Sequence, residues 1–102
     1  MNGKGGGEWW LVNRRLVDAT LADESPETRA RVHEAIGRLL TDPQSPDGIV
    51  TYPLRGLPTR TYPDRLLARL PDGWVLTYSL HPDGLPPLGG RLVMVHALVR
   101  LA

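Results

Sequence analysis

A hairpin whose register can be read from its own residues constrains this chain more than any other feature. Residues 64–70 and 74–80 are strand-length runs, and Pro71-Asp72-Gly73 between them has the composition of a three-residue hairpin loop. Proline presets φ at the first turn position and glycine takes the left-handed position at the end, so a type I turn closed by Gly73 is expected. That loop length pairs Leu70 with Trp74, Ala68 with Leu76 and Leu66 with Tyr78, which makes one face of the ribbon wholly apolar. The other face carries Arg65, Leu67, Arg69, Val75, Thr77 and Ser79. A two-residue loop would set Arg69 beside Leu76 and mix the two faces. The segregation selects the three-residue loop, and it gathers arginines on one side of the sheet, where a polyanion would meet them.

A Pro/Gly-rich connection leads to a further apolar run at residues 91–101, in which Val93, Val95, Ala97 and Val99 alternate with Leu92, Met94, His96 and Leu98. Both sets are largely apolar, as expected of a central strand covered on both sides along much of its length. Upstream, Trp9-Trp10-Leu11-Val12 reads as a short first strand. Leu16, Val17, Thr20 and Leu21 then recur at helical spacing in a first helix beginning near Arg14. For a second helix, Ser25 is the N-cap, Pro26 suits the first position and Glu27 complements the dipole. Val32, Ala35, Ile36, Leu39 and Leu40 form its apolar stripe, Glu34 and Arg38 make a favourable i,i+4 pair opposite, and Asp42-Pro43 ends it. Residues 43–63, rich in Pro, Gly and Thr, are expected to be a long surface loop. The predicted order is β-α-α-β-β-β. This is an α+β fold, with an N-terminal helical hairpin packed on a twisted antiparallel sheet of about four strands. A flexible glycine-rich tail at residues 1–8 would precede a single domain at 9–102.

With 102 residues the chain supports one hydrophobic core. The absence of cysteine excludes a disulfide framework and thiolate metal sites. The glycine-rich start is followed by a charge rather than an apolar stretch, so no signal peptide is read, and the run at 91–101 is about half the length of a membrane helix. A cytoplasmic location is expected. A net charge of +1 excludes a strongly basic nucleic-acid binder, but the charge is polarised. Residues 1–47 hold six basic and eight acidic side chains, whereas residues 48–102 hold six arginines against three acids. All but one of the 12 basic residues are arginine, which genome composition explains as well as phosphate recognition does.

His96 is the best candidate for general acid–base work, because an imidazole titrates near neutral pH; its other reading is a satisfied, half-buried histidine. His81 opens the turn His81-Pro82-Asp83-Gly84 and would face the basic end of the strands, or be a simple turn residue. Arg65 and Arg69 share a strand face and would grip one phosphate or successive ones, or else form a solvated surface. Arg55 and Arg60 lie in the loop that would close on a ligand. Tyr52 and Tyr62 are open to stacking on bases, whereas Tyr78 belongs to the core by the hairpin register. Trp9, Trp10 and Trp74 are read as core and sheet-edge packing. His33, His81 and His96 have no metal-ligand spacing, and no phosphate-binding loop or dinucleotide fingerprint is present. No metal or cofactor is expected.

The segment Ile36-Gly37-Arg38-Leu39-Leu40-Thr41-Asp42-Pro43, the segment Pro53-Leu54-Arg55-Gly56-Leu57 and the arginine-bearing hairpin together give the chain a layout that resembles the RelE/ParE toxin superfamily of bacterial toxin–antitoxin systems, over roughly residues 9–101. The resemblance implies a small microbial RNase-like fold and the toxin component of a type II system. RelE-type members are metal-independent endoribonucleases (mRNA interferases) that cleave mRNA on the ribosome by attack of a ribose 2′-OH on the adjacent phosphate. Arg69 looks like one of the family's hairpin arginines, Arg65 like another, and Arg100 like the arginine near the end of the last strand, while Arg55 follows the segment where some members carry basic residues. His96 or His81 would then handle protons, with Arg55, Arg60 and Arg100 binding RNA. The implied partners are a cognate antitoxin protein and mRNA with the ribosome, with no membrane. ParE-type members share the fold but inhibit gyrase. Trp74 and Val75 stand where active members often begin a strand with arginine, which keeps open a non-catalytic binding module or gyrase-type inhibitor.

Overall fold

A computed structural model describes residues 9–54 and 65–101. The chain runs β1 (Trp10–Val12), α1 (Arg14–Leu21), α2 (Pro26–Thr41), β2 (Thr51–Pro53), β3 (Arg65–Arg69), β4 (Trp74–His81) and β5 (Leu92–Arg100). The five strands form one sheet in the order β1-β5-β4-β3-β2. The α+β layout matches the expectation, with two differences. The sheet has five described strands rather than about four, because Thr51–Pro53, inside the expected loop, pairs antiparallel with β3. It is also mixed rather than antiparallel, since β1 lies parallel to β5, with Trp10 opposite Leu92. Pro53 sits on this edge strand, where a missing N–H leaves no ladder bond unmade.

The second helix forms where its caps place it. Ser25 is extended (φ −62°, ψ 154°) and its hydroxyl accepts from the Thr28 N–H at 3.2 Å, a cap that contributes about 1 kcal/mol. Val32, Ala35, Ile36 and Leu39 are buried, and Arg38 meets Glu34 at 2.9 Å on the outer side. The first helix starts differently. Asn13 takes a left-handed conformation (φ 72°, ψ 38°) and caps nothing with its side chain. Its Nδ2 instead donates to the Val95 carbonyl at 3.2 Å, extending the β1–β5 seam one residue past the last strand pair, Val12 with Met94.

Both helices lie on one face of the sheet. Val17 and Leu21 of α1 and the α2 stripe join Ala68, Leu70, Trp74, Leu76, Tyr78, Leu80, Val93, Val95 and Leu98 in one apolar cluster. Tyr78 is wholly buried and donates its hydroxyl proton to the Pro43 carbonyl at 2.7 Å, which pins the end of α2 to the sheet. Burial pushes its phenol far above the usual tyrosine range. Trp74 belongs to this core, but Trp10 is 66% exposed and does not pack as the sequence suggested.

The hairpin register is the expected one: Leu66 faces Tyr78, Ala68 faces Leu76, and the Leu70 N–H donates to the Trp74 carbonyl at 2.8 Å. The turn differs from type I, because Asp72 as well as Gly73 has positive φ (63° and 81°). An aspartate tolerates that conformation, and the Asp72 carboxylate is held 2.7 Å from the Arg31 guanidinium of α2. Gly73 is needed on two counts: its φ, and the Leu101 carbonyl oxygen, which lies 2.7 Å from where a Cβ would stand.

The alternation expected of β5 is interrupted. Tyr78 pairs with Val95 but Thr77 pairs with Ala97, so His96 is an extra residue in a β-bulge. Val93 and Val95 on one side of the bulge, and Leu98 on the other, therefore share the helix-covered face.

Candidate functional site

The bulge decides where the chemistry-bearing residues meet. On the face away from the helices, Ser79 and His81 of β4 stand two residues apart, and the bulged His96 of β5 is turned toward them. His96 Nε2 lies 2.9 Å from Ser79 Oγ, and Ser79 Oγ lies 2.8 Å from His81 Nε2. The two imidazoles are thus joined through a single hydroxyl. Ser79 is 0% exposed and His81 9%, whereas His96 is half-buried and is the more exposed of the two rings.

Arg65 of β3 is the register partner of Ser79 and brings a guanidinium to the same face. Burial first, then the charge of Arg65, then His81, hold the His96 imidazole below the usual histidine value. His96 is therefore neutral at pH 7, the state in which an imidazole accepts a proton. The buried Ser79 hydroxyl is a bridge between rings and has no surface through which to attack a substrate. A basic group and a cation beside it are the components that move a proton from a hydroxyl and stabilise charge growing on a phosphate.

The site residues expected from the sequence divide into groups. His96, His81 and Arg65 come together. Arg69 shares their sheet face, four residues further along β3 and so about 13 Å from Arg65 along the strand. Arg100 does not join them: it pairs in register with Trp74, and its guanidinium lies 3.3 Å from Glu24 and over the Trp74 ring at 5.9 Å, on the helix side. Arg55 and Arg60 lie outside the described residues, as does Tyr62. Tyr52 is exposed on edge strand β2. His33 is on α2, 3.8 Å from Asp18, and takes no part. Among the described residues no three His, Cys, Asp or Glu side chains cluster as a metal-holding group would, and no helix is long and apolar enough to cross a membrane.

Ser79 was not among the residues singled out from the sequence. The available signal was its position two residues before His81 on the arginine-bearing hairpin face; the missing one was the bulge, which swings His96 within reach.

The chain matches no protein-family model, no curated protein and no solved structure.

Proposed function

We propose that this protein is a metal-independent endoribonuclease of the RelE toxin type, acting on mRNA, with His96 as general base and Arg65 stabilising the phosphate. The observation that carries the reading is the half-buried His96, neutral at pH 7 and bridged through Ser79 to His81, beside Arg65 on the sheet face that carries no described helix. His96 takes the proton of a ribose 2′-OH, at the ring nitrogen that Ser79 does not engage. The 2′-oxygen bonds to the adjacent phosphorus as the P–O5′ bond breaks, and the proton is returned to the departing 5′-oxygen. The products are a 2′,3′-cyclic phosphate and a 5′-hydroxyl. Arg65 meets the charge on the phosphate oxygens, and Arg69, further along the same face, holds the strand on one side of the scissile bond. An antitoxin covering this sheet face would silence it.

A second reading is a non-catalytic binding module, with gyrase as one target. Val50, Tyr52 and Leu54 favour it, because they expose apolar surface along edge strand β2.

Regulated expression in a bacterial host, with growth followed alongside 5′-end mapping of cellular mRNA, tests the two. Growth arrest with new translation-dependent cleavage sites that vanish in His96→Ala supports the ribonuclease. Arrest without cleavage moves the assignment to the binding module. Soluble protein with no arrest removes the ribonuclease and the gyrase-type inhibitor and leaves a binding module without toxicity.

A further inference from the structure

The bridge between the two histidines imposes a count of protons. A serine hydroxyl has one hydrogen to donate and two lone pairs that accept. Ser79 Oγ has an imidazole Nε2 on each side, at 2.8 and 2.9 Å, and is itself wholly buried. If both Nε2 atoms lacked a proton, the single hydroxyl hydrogen would satisfy only one of them. If both carried one, the oxygen would accept twice and its own hydrogen would be directed at neither ring. The arrangement that satisfies both contacts and also uses the buried hydroxyl hydrogen has one Nε2–H donating to Ser79 and Ser79 donating to the other, bare Nε2. In that arrangement the tautomers of His81 and His96 are opposite and coupled.

The role given to His96 chooses the direction. Of the charged and titratable groups on this face among the described residues, β2 contributes Tyr52, β3 contributes Arg65 and Arg69, β4 contributes His81 and β5 contributes His96 itself. A base that receives a substrate proton on its other nitrogen, Nδ1, must hold its hydrogen on Nε2 at the outset, the nitrogen that faces Ser79.

We propose that Ser79 and His81 form a proton relay behind His96, ordered His96 Nε2–H to Ser79 Oγ–H to His81 Nε2, so that a proton gained at His96 Nδ1 is matched by one delivered to His81. The proposal rests on the reading of His96 as the base. In the forward step, Nδ1 of His96 gains the proton of the attacking hydroxyl, and Nε2 passes its own to Ser79 Oγ. Ser79 gives its hydrogen to Nε2 of His81. Positive charge thus leaves the ring beside Arg65 and settles on the more deeply buried one. The reverse sequence returns the proton for the leaving oxygen. No proton is lost and Ser79 is unchanged over the cycle. Ser79 and His81 are positioning residues in this scheme, since only His96 meets the substrate.

The tautomers are measured directly by long-range ¹H–¹⁵N correlation spectra of the full chain labelled with ¹⁵N-histidine, in the absence of RNA, at a pH where the rings are neutral. The result expected is His96 protonated on Nε2 and His81 on Nδ1. The same tautomer in both rings overturns the relay, and so does the reverse order. Kinetics supply an independent arm. Ser79→Ala lowers kcat by about 10-fold to 100-fold and displaces the pH–rate profile with KM little changed, and Ser79→Thr, which keeps the hydroxyl, restores the profile. An unaltered profile in a folded Ser79→Ala protein overturns the relay. The expected pair of tautomers in a protein that cleaves no RNA would leave the relay standing and sink the ribonuclease reading, whereas cleavage by a protein with identical tautomers would do the reverse.

Discussion

The two faces of the sheet are built from the same strands and do opposite things. On the helix side, Leu76, Tyr78, Val93 and Val95 are sealed under α1 and α2; there the Tyr78 hydroxyl finds a carbonyl, and the Trp74 indole N–H is buried without a partner among the described residues. On the other side no described helix lies over Arg65, Arg69 and His96, and the polar atoms of Ser79, His81 and His96 are bonded to one another. One face uses its residues to stay folded. The other holds titratable groups in fixed positions, which costs desolvation and yields a perturbed imidazole. A change on the first face should therefore appear in stability, and one on the second in chemistry.

The sharpest test of that separation is His96→Ala. On the ribonuclease reading, removing the base lowers RNA cleavage by about 10²–10⁴-fold, or roughly 3–5 kcal/mol in the barrier, while thermal unfolding moves little. A variant that loses activity only in proportion to lost folded protein would erase the distinction. Next in size is Leu76→Ala on the helix face. This truncation of a wholly buried side chain costs about 2–5 kcal/mol in denaturant unfolding. Val99→Ala, exposed on the opposite side of the same strand pair, stays within about 0.5 kcal/mol. Tyr78→Phe falls between these two, about 1–2 kcal/mol, because it leaves the Pro43 carbonyl without its donor and preserves the packing.

The smallest effect is in pH. The His96 value is depressed in the folded state, so the unfolded chain binds more protons wherever pH lies between the folded value and about 6.5. Stability should fall as pH drops through that window and be fully present above it. In His96→Gln, urea midpoints measured across the same range should lose that part of their slope.

Much of the helix-covered face was legible in the sequence because it obeys periodic rules. Ser25, Pro26 and Glu27 mark the start of α2, the stripe Val32–Leu39 follows a 3.6-residue period, and Pro71-Asp72-Gly73 fixes which hairpin residues face each other. Two features escaped for physical reasons. Thr51–Pro53 contains a proline and is short, so local propensity reads as loop, and only the neighbouring β3 makes it a strand. The bulge at His96 has no turn residue to announce it, and unbroken alternation through β5 would put Val93, Val95, Ala97 and Val99 on one face. His96, His81 and Arg65 could be named from their types, but Ser79 as their bridge could not, because the contact spans two strands and depends on one extra residue in one of them. Arg100 shows the converse: its place near the end of β5 suggested RNA, and its neighbours Glu24 and Trp74 tie it to the helix side.

The position of β5 has a consequence for how the molecule is made. It lies between β1 and β4, and the parallel pairing of Trp10 with Leu92 joins residues about eighty positions apart. During synthesis, β1 and the helical hairpin leave the ribosome long before the strand that seats them. The β3–β4 ribbon meanwhile exposes the edge of β4 that β5 will cover. Such distant pairings slow folding, because loop closure precedes the contacts that reward it. His96 arrives on that same late strand. On the ribonuclease reading, a partly translated chain would therefore be a helical hairpin and an arginine-bearing ribbon with no base between them, and the newborn protein would stay harmless to the message it is being read from until its sheet closes.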